Sequence, residues 1–134
     1  ECYKCPMNQW GTGKNDRGKA CKQMHRVFLA REVDDAIIPV IVALSPTSIK
    51  PFALYMSKLA LAGVKYWTVL TKMELDGVTN KQGFAYAKVR LSAVERMKEE
   101  TLKTIEAMKE GLAGVLRRRP IEVTEYVEEG DGKE

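Results

Sequence analysis

The chain has 134 residues and a formal net charge of +4, with 45% hydrophobic and 30% charged residues. That apolar fraction excludes wholesale disorder, and the length suits one domain with a small appended module. No apolar run approaches the ~18 residues of a membrane helix, and the Glu-Cys-Tyr-Lys-Cys start has no apolar signal stretch, so a cytoplasmic protein is expected.

Residues 1–23 are rich in Gly, Lys, Asn and Cys and poor in aliphatics, and read as a loop-rich module. From Met24 to Arg31 polarity alternates, with Phe28 and Ala30 on one face and Val27 and Leu29 on the other, which predicts a strand. Glu32 to Asp35 is a turn. Ala36 to Leu44 is β-branched and apolar on both faces, a buried strand in which Pro39 demands a bulge or an edge.

Ser45-Pro46-Thr47-Ser48 opens a helix with Thr47 or Ser48 as N-cap and Pro51 in its first turn. Ile49, Phe52, Ala53, Met56, Leu59 and Ala60 share a face, and Gly63 stops the helix. Val64 to Leu75 alternates, with Tyr66, Thr68, Leu70, Lys72 and Glu74 on one face. Asp76-Gly77 starts a flexible loop ending at Gly83, and Phe84 to Leu91 is a further strand. Ser92-Ala93-Val94-Glu95 fits a capping box for a helix running to about Arg118, with a stripe of Val94, Met97, Leu102, Ile105, Met108, Leu112 and Val115. Pro120 ends it, Ile121 and Val123 suit a short last strand, and Glu128 to Glu134 reads as solvated.

Charge is unevenly placed. Residues 1–119 carry +9 and residues 120–134 carry −5. A basic body fits a polyanionic partner, and the acidic end is a solubilising tail or a mimic of nucleic acid that occupies the basic face in cis. Three organisational units follow: a knuckle-like loop module over 1–23, an α+β domain over 24–119 that includes the last helix, and an acidic tail over 120–134.

Two patterns carry chemistry. Cys2-x2-Cys5, Cys21 and His25 have the spacing of a tetrahedral zinc site, in which two thiolates three residues apart grip one ion and a second pair closes the shell. A closed four-ligand shell makes the zinc structural, because no position is left for a catalytic water. The alternatives are free thiols or a Cys2–Cys5 redox pair. The second pattern is Phe84, Tyr86, Lys88 and Arg90 at period two, with Tyr66 and Lys72 as candidates on a neighbouring strand. Rings that stack bases beside cations that meet phosphates suit single-stranded nucleic acid. The competing reading is a half-buried sheet with ordinary exposed Lys and Arg. Arg117-Arg118-Arg119 is either favourable charge at a helix C-terminus or a phosphate contact. The single His and the acids Asp34, Asp35, Glu74 and Asp76 give no catalytic spacing, and Cys21–His25 lacks a positioned third group, so no enzyme is expected.

Three stretches, Cys5-Pro6 through Trp10-Gly11-Thr12, Gly18-Lys19-Ala20-Cys21-Lys22 and Pro39 through Phe52, resemble a group of small phage and prophage proteins associated with single-stranded DNA binding. The resemblance spans roughly residues 2–91, and Leu-Ser-Pro-Thr-Ser-Ile-Lys-Pro-Phe (44–52) is its most specific block. It implies an OB-like β-barrel with an inserted helix, a role in phage replication or recombination, and another Cys upstream of residue 1. Cys2, Cys5 and Cys21 are then three of four zinc ligands, and His25 or that upstream Cys is the fourth. The missing initiator Met fits a chain cut from a longer protein. The expected function is sequence-tolerant binding of single-stranded DNA, RNA remaining open. A second expectation is a zinc-stabilised protein–protein adaptor that dimerises through the 93–118 helix.

Overall fold

A computed structural model of the chain describes residues 2–122. It is an α+β fold in which two separate antiparallel hairpins flank a helix, and a second helix follows. Strand β1 (His25–Val33) pairs with β2 (Ala36–Leu44) along its whole length. Helix α1 spans Pro46–Leu61. Strand β3 (Val69–Thr79) pairs with β4 (Ala85–Arg96), and α2 spans Glu99–Arg118. Among the described residues the two sheets do not join, and no barrel closes.

The β1–β2 turn is two residues long. Asp34 and Asp35 have φ of 48° and 63°, the left-handed pair that matches the twist of a short hairpin. Counting outward from Val33–Ala36, alternate pairs are hydrogen-bonded, so Ala30–Pro39 falls on a non-bonded pair and Pro39 costs no ladder bond. The bulge allowed for Pro39 is therefore not needed, because both strands of the ribbon are edges.

Helix α1 is capped by Ser45 rather than by Thr47 or Ser48, with Pro46 at its first position. Pro51 consequently lies in the second turn, inside the helix, where it removes the bond to the Thr47 carbonyl. The displaced cap residues have other work. Thr47 Oγ1 donates to the Ala87 carbonyl at 3.2 Å, and Ser48 Oγ accepts from the Val89 N–H at 3.0 Å. The N-terminus of α1 thus covers the outer edge of β4, which would otherwise present unpaired groups. The helix ends in a Schellman motif. Val64 N–H donates to the Leu59 carbonyl, Gly63 N–H to the Ala60 carbonyl, and Gly63 has φ +68°.

The core lies between α1 and β4. Leu44, Leu59, Val89 and Ser48 are the buried residues among those described. Tyr55 and Thr71 share a hydroxyl–hydroxyl hydrogen bond of 2.7 Å that ties α1 to β3.

Three expected boundaries move. Tyr66–Thr68 is a 3-10 turn instead of the start of β3. Asp76-Gly77, expected to open a loop, lies inside β3, opposite Lys88 and Ala87, so the loop shortens to the residues after Thr79. There Asn80 Oδ1 accepts from the Gln82 and Phe84 N–H groups at 2.9 Å each, a side-chain substitute for turn bonds. Residues 92–95 belong to β4, not to a capping box. A bulge between Leu70 and Thr71 leaves Val94 as the extra residue, and the Met97 N–H donates to the Thr68 carbonyl beyond the last pair. The ladder outcompetes the local cap because β3 offers eleven partners in register. Helix α2 therefore begins at Glu99, where Glu99 and Glu100 suit the positive end of its dipole. Ile121 forms no strand, and Val123 and the tail acids Glu125 to Glu134 lie outside the described residues.

Candidate nucleic-acid interface

The outward face of the β3–β4 hairpin carries most of the expected binding residues. Register sets Val78 opposite Tyr86, Asp76 opposite Lys88, Glu74 opposite Arg90 and Lys72 opposite Ser92. Alternation puts these residues on one face, away from α1, while Val89 points under it. Phe84 and Tyr86 stand at the turn end of this face, 43% and 36% exposed. The Arg17 guanidinium lies 4.5 Å from the Phe84 ring centroid, which brings the N-terminal module to the hairpin tip.

The cations of this face are not equivalent. Lys72 Nζ lies 2.9 Å from Glu74 Oε1, and Arg90 Nη2 lies 3.4 Å from both Glu74 Oε2 and Asp76 Oδ1. The Lys72 hydrogen bond, helped by the charges of Lys72 and Arg90 and opposed by slight desolvation, holds the Glu74 carboxyl below its ordinary range. Lys88 and Lys81 make no ion pair among the described residues, so they are the cations at hand beside the two rings.

Tyr66 lies elsewhere. It belongs to the 3-10 turn before β3, with Trp67 edge-on at 4.8 Å between ring centroids. Lys109 of α2 sits 3.4 Å from the Trp67 centroid, and Trp67 Nε1 donates to Glu106 Oε1 at 3.4 Å. This cluster docks α2 onto the base of the hairpin. Tyr66 and Tyr86 are separated by nearly the whole of β3, roughly 30 Å at 3.3 Å per residue. The structure therefore brings together Phe84, Tyr86, Lys88, Arg90 and Lys72, and sets Tyr66 apart.

Sequence reasoning missed two features of the tip. The acids Glu74 and Asp76 were legible as strand partners once β3 is extended through Gly77. Arg17, in contrast, has no local signal, because its ring contact spans the fold.

The metal donors are arranged more loosely. Cys2–Lys4 and Pro6–Asn8 are successive 3-10 turns, and the Cys5 N–H donates to the Cys2 carbonyl at 3.3 Å. Cys21 is tied back by its N–H to the Met7 carbonyl at 2.8 Å. Asn8 Nδ2 bonds the Cys2 carbonyl, and Thr12 Oγ1 bonds those of Met7 and Gln9, so the loop has its own polar scaffold. All three cysteines are free thiols, Cys2 exposed and the others half-buried. His25 is exposed at the start of β1, opposite Leu44. Among the described residues no three His, Cys, Asp or Glu side chains are gathered closely enough to hold an ion. The donor chemistry suits zinc, but the observed spacing does not form its cage.

No family model, curated protein or solved structure matches this chain. Among the described residues no helix is long and apolar enough to cross a membrane.

Proposed function

We propose that this chain is a sequence-tolerant single-stranded DNA-binding protein of phage replication or recombination. The observation that supports it best is the pair Phe84 and Tyr86, held toward solvent beside Lys88 with Arg17 against Phe84. The two part-exposed rings, one on β4 and one just before it, lie on the side away from buried Val89 and are open to a ligand. Bases stack on the two rings, Lys88 and Arg17 meet phosphates, and Lys72 and Arg90 contribute once their carboxylate partners yield them. The mode involves no catalytic step.

The OB-like barrel belongs to the same proposal. Two hairpins with α1 between them are pieces from which such a barrel closes when a free edge gains a strand. So does structural zinc on Cys2, Cys5 and Cys21, with His25 or a further cysteine as fourth ligand. Holding it requires the 2–21 loop to draw together.

The test is titration of the chain with fluorescent dT, rU and duplex oligomers across a salt series, with zinc content measured on the same sample. Expected are tighter binding to single strands than to duplex and a steep loss of affinity with salt. Equal affinity for duplex at low salt removes the proposal. Tighter binding of rU than dT redirects it to RNA.

One observation favours a second reading, an adaptor that dimerises through the 93–118 segment. Helix α2 has no buried residue, although Leu102, Ile105, Met108, Leu112 and Val115 share its apolar stripe. Loss of self-association on Met108→Lys supports that reading, and a monomeric wild type removes it.

A further inference from the structure

The β1–β2 ribbon is an anomaly in this fold. Its two faces are both apolar: Phe28, Ile37 and Ile41 lie on one, Val27, Leu29, Ile38, Val40 and Val42 on the other. Yet Leu44, at its root, is its only buried residue, and Phe28, Val33 and Ile38 are exposed. A lone two-stranded ribbon is marginal in water, and a two-faced apolar one asks for cover on both sides.

The two ends of the ribbon differ in charge and shape. At the tip, on the same face as Phe28, Ile37 stands opposite Glu32 beside the turn acids Asp34 and Asp35, with Arg31 the single cation nearby. At the root lies a groove of about 680 Å³ between the Phe28 face and the end of α2. Phe28, Pro39, Ile41 and Leu116 supply apolar walls, and Arg26 and Arg119 stand at the groove. The groove is held in place by Arg26, whose guanidinium donates to the Arg119 and Pro120 carbonyls at 3.2 and 3.0 Å. Arg117 and Arg118 add charge in the preceding turn of α2.

Tip and root are complementary: an apolar knob with an acidic crown, and an apolar groove with arginines. They cannot meet within one chain, because nine-residue strands hold them roughly 30 Å apart. We propose that the β1–β2 ribbon is an exchange arm between two copies of this chain, the tip of each seated in the root groove of the other. An antiparallel pairing of this kind is isologous, each copy giving and receiving the same contact, and it closes as a two-fold dimer. The pairing meets through one ribbon face, which offers about 300 Å² per partner (~30 Å by ~10 Å) with the groove walls included, the size of a weak, reversible contact. The acidic tips also oppose one another when ribbons align in parallel, which selects the antiparallel pairing.

Sedimentation of the chain over a micromolar to sub-millimolar series tests this. Expected is a reversible dimer whose dissociation constant rises in high salt. Asp34→Asn combined with Asp35→Gly removes the acidic crown while installing the best two-residue turn, so the ribbon itself is strengthened. Its dimer is expected to be roughly tenfold weaker, and that of Ile37→Asp or Arg119→Glu weaker by at least as much. The thermal transition of Asp34→Asn/Asp35→Gly at low concentration stays at or above wild type, which separates lost docking from lost folding. A wild type that is monomeric throughout overturns the proposal. So does a dimer indifferent to all three tip and root variants, including one that Met108→Lys alone dissolves.

Discussion

The two hairpins show opposite solutions to the same problem. In β3–β4 one face packs on α1 around Val89 and Thr71, and the other carries the charged residues and Tyr86. In β1–β2 both faces are apolar: Leu44 is buried, Val27, Leu29, Ile37, Val40, Ile41 and Val42 are half-buried, and Phe28, Val33 and Ile38 are exposed. The first hairpin has its stabilising layer within the chain, and its outer face is available for a ligand. The second meets the end of α2 only at its root, and much of its apolar surface stays partly open. Stability should therefore concentrate in one hairpin and association in the other.

The largest expected effect probes that division. Val89 is 3% exposed, the least exposed of the described hydrophobic residues, so Val89→Ala is expected to cost about 2 kcal/mol in chemical unfolding, counting its cavity. Ile38 is 41% exposed, and Ile38→Ala in dilute solution should cost under about 1 kcal/mol. An equal cost at both sites breaks the comparison and means the ribbon is covered.

A second effect tests the seam between α1 and β4. Ser48→Ala leaves the buried Val89 N–H without its acceptor, at an expected cost of about 1–3 kcal/mol. Faster hydrogen exchange at the Val89 amide checks it directly. Thr47→Ala, which removes an exposed bond to the Ala87 carbonyl, should cost less.

A third contrasts folding with binding. Phe84→Ala should weaken oligo-dT binding by roughly 1–3 kcal/mol and leave the melting temperature nearly unchanged, because the ring lies outside the core. If melting falls with affinity, Phe84 is a packing residue braced by Arg17, and the functional reading loses its main support.

Much of this contrast was legible in the sequence, for definable reasons. Ala36–Leu44 was readable as a strand from its β-branched apolar run, though only Leu44 of it is buried, and the faces of β4 from a period of two visible residue by residue. The turn expected over Glu32–Asp35 narrows to Asp34-Asp35, the two residues at positive φ, while Glu32 and Val33 pair within β1. What was hidden depended on contacts distant in the chain. Ser92–Glu95 carries a good local cap signal, but the long ladder with β3 overrides it. Asp76-Gly77 looks like a turn and is held straight by Lys88 and Ala87. Pro51 is harmless in the first turn of a helix capped at Thr47 or Ser48, and a cap at Ser45 moves it inward. For the candidate site, the rings and cations of β4 were legible. Their neutralisation by Glu74 and Asp76, the separation of Tyr66 and the approach of Arg17 were not.

The smallest effect concerns that neutralisation. Glu74 engages Lys72 and Arg90, and its carboxyl is held below the ordinary carboxylate range, chiefly by the Lys72 hydrogen bond. A depressed folded-state value means that the ion pairs contribute above the ordinary carboxylate range. They are lost as pH falls through the lower, folded value. The stability change should be slight, since all partners are exposed and such pairs contribute little. Binding should respond in the opposite sense. Protonating Glu74 frees Lys72 for phosphate and leaves Arg90 held by Asp76 alone, so affinity for dT, whose base does not titrate there, should rise as pH falls through the lowered, folded value of Glu74. Glu74→Gln brings the same release to neutral pH. It should tighten dT binding severalfold at low salt and steepen the logarithmic salt slope by about 0.7 for each phosphate gained. An unchanged slope means that Lys72 and Arg90 are structural, and that the hairpin binds through Lys88, Arg17 and the two rings alone.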